Sequence, residues 1–219
     1  VVFLTATCLQ PSQIKKPWKR DDFGKMKTRN QFGEGSSPTL VDGMILVPWD
    51  HEGSSALYAL DQKTGKTVWK TARDEPTSWA TPIVVEHEGS KQVLMNGQNF
   101  IRGYDLKTGE ELWRVAGKAQ RPVTCPVTLD GLAIVTSSFR GTFGGAFRLD
   151  GRGDLGGTAN VAWSWEKYLP DLASPPALRR SPLSSQRQVG HLVLCQSAHG
   201  RSLLPRPKNP GSLNALRLP

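Results

Sequence analysis

Two stretches of the chain repeat one another 44 residues apart. Leu57-Tyr58-Ala59-Leu60-Asp61-Gln62-Lys63-Thr64-Gly65-Lys66-Thr67-Val68-Trp69 aligns with Ile101-Arg102-Gly103-Tyr104-Asp105-Leu106-Lys107-Thr108-Gly109-Glu110-Glu111-Leu112-Trp113, which superposes Asp61 on Asp105 and Trp69 on Trp113. Pro38, Pro82 and Pro126 keep the same spacing, and each precedes an apolar run. The interval from Trp to the next such Pro is 13 residues for Trp69–Pro82, Trp113–Pro126 and Trp163–Pro176. A period of this length is the mark of stacked supersecondary units, none of which can bury its own apolar faces alone.

One unit can be read from its residues. Pro opens a strand, where its missing N–H costs least. A turn such as Val41-Asp42-Gly43 leads to a second strand. Leu57, Ala59 and their neighbours form a third with period-2 alternation. Asp61 accepts from turn amides and Gly65 takes a positive φ, so Asp-x-x-Thr-Gly closes a hairpin into a fourth strand that ends in Trp. Four short strands in ~40–45 residues is the pattern of a β-propeller blade. Trp69, Trp113 and Trp163 are expected to fill the wedges between blades, with Asp61, Gly65, Asp105 and Gly109 shaping the hairpins. The third unit is looser: Asp150 to Gly157 replaces the short hairpin, and Trp113 to Trp163 is 50 residues, an insertion of six. Trp18-Lys19-Arg20 reads as the outer strand of an earlier blade.

Composition agrees. Apolar residues make up 37%, and 22 Gly and 16 Pro among 219 residues suit an all-β chain with many turns. No run of 18 apolar residues marks a membrane-spanning helix. Val1 to Gln10 is mildly apolar but has neither a basic n-region nor a small-residue cleavage site, so no signal peptide is visible. The net charge of +9 points at first to nucleic acid, but seven Lys and Arg and no Asp or Glu lie between Leu172 and Pro219, leaving +2 for the repeats. A nearly neutral repeat region lacks the basic stripe that nucleic acid requires. Cys8, Cys125 and Cys195 are too scattered for a zinc or disulfide framework.

Ala59-Leu60-Asp61-x-x-Thr64-Gly65-Lys66-x-x-Trp69, matched again by Asp105-x-x-Thr108-Gly109-x-x-x-Trp113, resembles the repeat of pyrroloquinoline-quinone (PQQ)-type β-propellers over residues 36–165. The resemblance implies a partial propeller of four-stranded antiparallel blades, about three intact (36–79, 80–122 and 123–170) after a remnant at 1–35. That superfamily holds quinoprotein dehydrogenases, a lipoprotein scaffold of outer-membrane assembly and many exported bacterial proteins. Trp49-Asp50-His51-Glu52-Gly53 and Arg73-Asp74-Glu75-Pro76-Thr77-Ser78-Trp79-Ala80-Thr81-Pro82 look most like the last group, which implies a periplasmic or extracellular location. Members have seven or eight blades, and eight blades of ~45 residues need ~360, so the sequence reads as a fragment. Its two open blade faces are expected to make it poorly soluble.

Candidate ligand residues come from two kinds of loop on one propeller face. Asp50, His51 and Glu52 follow a second strand. Arg73, Asp74, Glu75 and Trp79 enter the next blade. The cluster reads first as hydrogen-bonded loops with an Arg73–carboxylate pair, and second as carboxylates and a His for a metal ion or acid–base work. Arg102 beside Asn96-Gly97-Gln98-Asn99, and Arg140 in Ser138-Phe139-Arg140-Gly141, are the counterparts in later units. His87 and Glu88 read as turn residues on the opposite face. Nucleophile-elbow, P-loop and HExxH motifs are lacking. The expectation is a noncatalytic binding or interaction scaffold, with a protein or small-molecule partner, no nucleic acid and no evident cofactor. The alternative is a fragment of a quinoprotein dehydrogenase using PQQ with Ca²⁺. Such enzymes commonly carry an adjacent Cys-Cys pair against the cofactor; this sequence has none, and the rest of the protein could hold one.

Residues 171–219 break the pattern: they form an aberrant basic tail without Asp-x-x-Thr-Gly or Trp. Suitable codons for Arg179 to Leu183, read one base later, spell G-D-R-L-Y, and those for Val193 to Gly200 spell S-C-V-N-P-H-T-G, both blade-like. A shifted frame and a natural basic tail are the two readings. Sequencing the coding DNA decides: the expected result is a one-base shift near Pro176 that restores a blade, and its absence removes the first reading.

Overall fold

The computed structural model describes residues 18–167, 169 and 171–174; the proposed frameshifted segment from Pro176 onward, Cys8 and Cys195 lie outside them. The described residues form thirteen strands in three sheets. The first sheet runs β1 (Thr39–Val41), β2 (Met44–Trp49), β3 (Ser55–Asp61), β4 (Thr67–Arg73), paired in sequence order. The second contains β5 (Ile83–His87), β6 (Ser90–Met95), β7 (Phe100–Asp105) and β8 (Glu111–Ala116). The third contains β9 (Val127–Leu129), β10 (Leu132–Ser137), β11 (Phe143–Arg148) and β13 (Val161–Trp165). Within each sheet these pairs are antiparallel, and each carries a register shift one residue after Ala59, Gly103 or Ala146. The chain is a partial PQQ-like β-propeller.

The period-2 pattern of the third strands does not separate core from solvent. All of β3 up to Leu60 is buried, because a blade has a neighbour on each face. Leu46, Leu57, Ala59 and Trp69 face forward and pack with Val93, Met95, Tyr104 and Leu106 of the second blade. Leu94, Ile101, Trp113 and Val115 repeat this against Ala133, Val135, Phe143 and Phe147 of the third. The backward face of the first blade, expected to stand open, is instead covered: Ile45, Val47, Trp49, Ala56, Tyr58 and Leu60 pack against Trp18, Phe23 and Met26. The Phe23 ring stacks on Tyr58 at 4.3 Å between centroids. The segment from Trp18 to Met26, ahead of the first strand, thus supplies apolar cover that the blade count alone did not foresee.

The outer-strand tryptophans join the blades by a repeated hydrogen bond. Trp18 Nε1 donates to the Gln62 carbonyl at 2.9 Å, and Trp69 Nε1 to the Leu106 carbonyl at 3.0 Å. Each indole lies over the hairpin glycine of the next unit, Gly65 (φ +70°) or Gly109 (φ +74°), where a Cβ would approach it to 2.5 Å. Glycine is required there twice over, by conformation and by space. The Asp61 carboxylate accepts from Lys63 N (3.1 Å), Thr64 N (2.7 Å) and Thr64 Oγ1 (2.7 Å), and Asp105 repeats the set. The Thr64 hydroxyl and amide hold the Asp61 carboxyl below its ordinary range.

The third junction is built differently. Arg148 takes the place of the hairpin Asp and pairs with Asp150 at 2.5 Å. Trp113 Nε1 donates to Gln92 Oε1 (3.0 Å), and Gln92 Nε2 donates on to the Leu149 carbonyl (2.7 Å). A buried glutamine side chain therefore relays the bond made directly elsewhere. The inserted segment crosses back: β12 (Gly153–Asp154) pairs in parallel with β8, Gly153 opposite Trp113, and gives the second sheet a fifth strand. Leu155 N donates to the Arg114 carbonyl (2.9 Å), and its fully buried side chain joins the Trp113–Phe147 cluster.

Trp113→Ala is expected to cost about 3–5 kcal/mol through the cavity it leaves. Trp113→Phe keeps most of the ring but orphans the Gln92 oxygen, for a loss of about 1–3 kcal/mol. Urea midpoints of the two variants check this order.

Candidate functional site

The loop after β2, the loop after β4 and the turn between β6 and β7 meet at one end of the sheets. Arg73, the last residue of β4, donates Nε to Asp50 Oδ1 (2.8 Å) and Nη2 to Asp50 Oδ2 (3.1 Å). This two-pronged pair is wholly buried, with side-chain exposures of 0% and 1%. Arg73 Nη1 donates to the Tyr104 hydroxyl of the second blade. Burial opposes charge on Arg73, but Asp50 beside it overrides that and holds the guanidinium above its usual range. Burial pushes the Tyr104 phenol up.

A second knot is tied by Glu75 and Arg102. Arg102, 2% exposed, reaches three carboxylates: Glu75, Asp74 and, at 2.9 Å, Glu111. Glu75 also accepts the backbone N–H of Asn99 (2.8 Å) and Phe100 (2.9 Å). Burial pushes its carboxyl up, against the pull of Arg73, the Asn99 amide and Arg102. Above these knots, Glu52 accepts from Thr77 Oγ1 (2.8 Å) and Arg29 Nε (3.1 Å). Burial works to raise the Glu52 carboxyl, but the Thr77 hydroxyl and amide and Arg29 together bring it below its ordinary value.

The remaining sequence candidates are spread around this network. His51 is buried; its Nδ1 faces Lys27 N at 3.4 Å and its ring lies edge-on to Trp49. Trp79 donates Nε1 to the Gly33 carbonyl (2.9 Å), and its ring leaves no room for a Cβ on Gly35. Its backbone N–H bonds the Pro122 carbonyl (2.9 Å), so the loops entering successive blades touch one another. Arg140 stands apart from the carboxylates, exposed, with its guanidinium 5.5 Å from the Phe139 ring. Beside Trp79 lies a cavity of about 190 Å³ bordered by Met26, Pro38, Val47, Trp49 and Asp50. Among the described residues no group of three His, Cys, Asp or Glu could hold a metal ion.

Sequence reading missed Tyr104 and Glu111, which look like ordinary repeat residues, and also Arg29, Phe32 and Arg121. The repeat itself held a signal for the last. Arg121 lies 44 residues after Thr77, so the loop that supplied Thr77, Ser78 and Trp79 recurs there. Phe32 packs 6.4 Å from Trp79, and the Arg121 guanidinium sits 5.6 Å from Phe32 and 4.8 Å from Phe139.

Stacked blades joined by indole-to-carbonyl bonds and Asp-x-x-Thr-Gly hairpins define a propeller of the PQQ-like class. The family model described as outer membrane protein assembly factor BamB matches residues 5–144, and the chain belongs to that PQQ-like β-propeller family. Methanol dehydrogenase [cytochrome c] subunit 1 of Methylorubrum extorquens is 32% identical over 89 residues, 37% of this chain and 13% of that protein. The quinoprotein alcohol dehydrogenase PedE of Pseudomonas putida is 36% identical over 78 residues, 34% of this chain and 12% of that one. The chain thus spans about an eighth of the length of these relatives. The crystal structure of BamB from Moraxella catarrhalis aligns with 64% of this chain and 42% of that one at 20% identity and a TM-score of 0.49.

PQQ with Ca²⁺ calls for oxygen ligands free to turn to the metal. Asp50 and Glu75 are not free in that way: both Asp50 oxygens are taken by Arg73, and those of Glu75 by Arg102 and two amides.

Glu75→Ala leaves Arg102 without its one fully buried carboxylate, and a loss of about 3–5 kcal/mol is expected in urea denaturation. Glu52 has a folded pKa below its unfolded value near 4.5. The stability it contributes is therefore present above that pH and fades as pH falls through the folded value. Glu52→Gln should flatten this acid limb in thermal melts run from pH 6 to pH 3.

Proposed function

We propose that the chain belongs to an exported, noncatalytic propeller whose loop face binds a protein or a small molecule. The observation that carries this reading is the use of the ionisable groups. Asp50, Glu75, Arg73 and Arg102 are all buried and tied to one another or to backbone amides, which suits a rigid platform and leaves no free acid–base pair among these four. The groups left free on the face are aromatic and cationic: Phe32, Arg121 and Arg140. Aromatic and Arg side chains are the usual anchors of binding surfaces. Membership in a family named for an outer membrane assembly factor supports a protein partner and a location outside the cytoplasm. Among the described residues no helix is long and apolar enough to cross a membrane.

The second reading, a fragment of a quinoprotein dehydrogenase, draws on the 32% and 36% identity to methanol and alcohol dehydrogenases. Full-length protein incubated with PQQ and Ca²⁺ separates the two. No dye-linked oxidation of methanol or ethanol is expected, and clear turnover would replace the scaffold reading with the enzymatic one. On the scaffold reading, Arg140→Glu should abolish partner capture by cross-linking while leaving the melting temperature unchanged.

A further inference from the structure

We propose that Arg121 and Arg140, held on the ring of Phe139 beside the exposed Phe32, form a binding site for a carboxylate carried next to an apolar group. The argument begins with the other arginines. Every other described arginine has a carboxylate or carbonyl partner: Arg20, Arg29, Arg73, Arg102, Arg114 and Arg148 pair with carboxylates, and Arg152 donates to the Gly151 carbonyl. Arg121 and Arg140 have no hydrogen bond or ion pair among the described residues; only ring faces hold them. Arg121 Nε is moreover buried without an acceptor. A buried guanidinium N–H without a partner is costly and calls for an oxygen. Two guanidiniums on one phenyl ring carry N–H donors in planar forks, a geometry matched to oxyanions.

The backbone fixes these side chains in advance. Arg121 and Arg140 both adopt left-handed φ values, +53° and +47°, which ordinary residues rarely do and which gather at ligand-binding loops. The two loops are bonded to each other: Gln120 N donates to the Phe139 carbonyl at 2.8 Å. Gly141, at φ +147°, lies so close to the Lys118 carbonyl that a side chain there cannot be accommodated.

Phe32 sets the ligand class. It is 65% exposed and lies 5.6 Å from the Arg121 guanidinium. A bare inorganic anion gains nothing from an adjacent apolar ring, whereas a carboxylate attached to a hydrocarbon covers that ring while it engages the arginines. The ligand can be a free organic acid or an acidic side chain beside an apolar one in a peptide. The proposal rests on the binding-face reading for its location but does not depend on a macromolecular partner.

The test is titration calorimetry on full-length protein with four probes: hydrocinnamate, an acetylated Asp-Phe-Asp-Phe amide, acetate and inorganic phosphate. Hydrocinnamate, the peptide or both should bind at least ~10-fold more tightly than acetate or phosphate. Arg121→Gln and Arg140→Gln should each weaken that binding ~10-fold or more, and Phe32→Ala should remove the preference over acetate. Arg140 is exposed, so Arg140→Gln keeps the melting temperature and separates loss of binding from loss of fold. Binding of the peptide alone assigns the site to a protein partner; binding of hydrocinnamate assigns it to organic acids. If phosphate binds as well as hydrocinnamate, if Phe32→Ala changes nothing, or if neither apolar carboxylate binds, the site is not what we propose. Hydrocinnamate binding without partner capture would keep this site and remove the protein partner from the proposed function.

Discussion

Each outer-strand tryptophan has one N–H, and in two of three junctions that N–H goes to a carbonyl in the next blade. The bond does two things at once. It satisfies a buried donor, which would otherwise cost free energy, and it sets the indole flat over a glycine that has no side chain to resist it. Blade spacing, hairpin glycines and apolar wedge all depend on that placement. The third junction shows how much the arrangement tolerates. When the hairpin was replaced by a longer segment, the donor was kept satisfied through Gln92, and Leu155 filled the space beside Trp113.

Much of this was legible in the chain because repetition carries its own check. Asp61 and Asp105, Gly65 and Gly109, Trp69 and Trp113 each predict the other, and their geometry agrees to a few tenths of an ångström. What escaped was non-periodic. No local rule says that Gly153 and Asp154 will pair in parallel with a strand of the preceding blade, since the pairing depends on where the insertion lands in space. Cover of the first blade by Phe23 and Met26 was equally hidden, because a short irregular segment has no period.

The candidate face was half legible for a related reason. Sequence placed Asp50, Glu52, Arg73, Asp74 and Glu75 on neighbouring loops, because loop positions follow from strand order; in the structure Arg73 is the last residue of β4. Which of them would be free was a matter of side-chain direction. Asp50 and Arg73 turn into the protein and meet Tyr104, a residue that reads as core. Buried ion pairs of this type are modest stabilisers overall but strongly resist being half broken, so they fix one arrangement of the loops above them. The free groups are then found further along the repeats, at Arg121 one period after Thr77 and at Arg140 two periods after Glu52.

The fifth strand also bears on how the molecule assembles. Gly153 meets Trp113 across forty residues, a far longer loop than any hairpin in the blades, and such closures are slow because chain entropy opposes them. The second sheet therefore remains unfinished along its outer edge until the third has been synthesised and laid down. A duplication or exchange that cut between them would leave β8 with a bare edge and Leu155 without Trp113 to pack on, whereas a cut ahead of the second blade would separate residues joined by the ordinary repeat contacts.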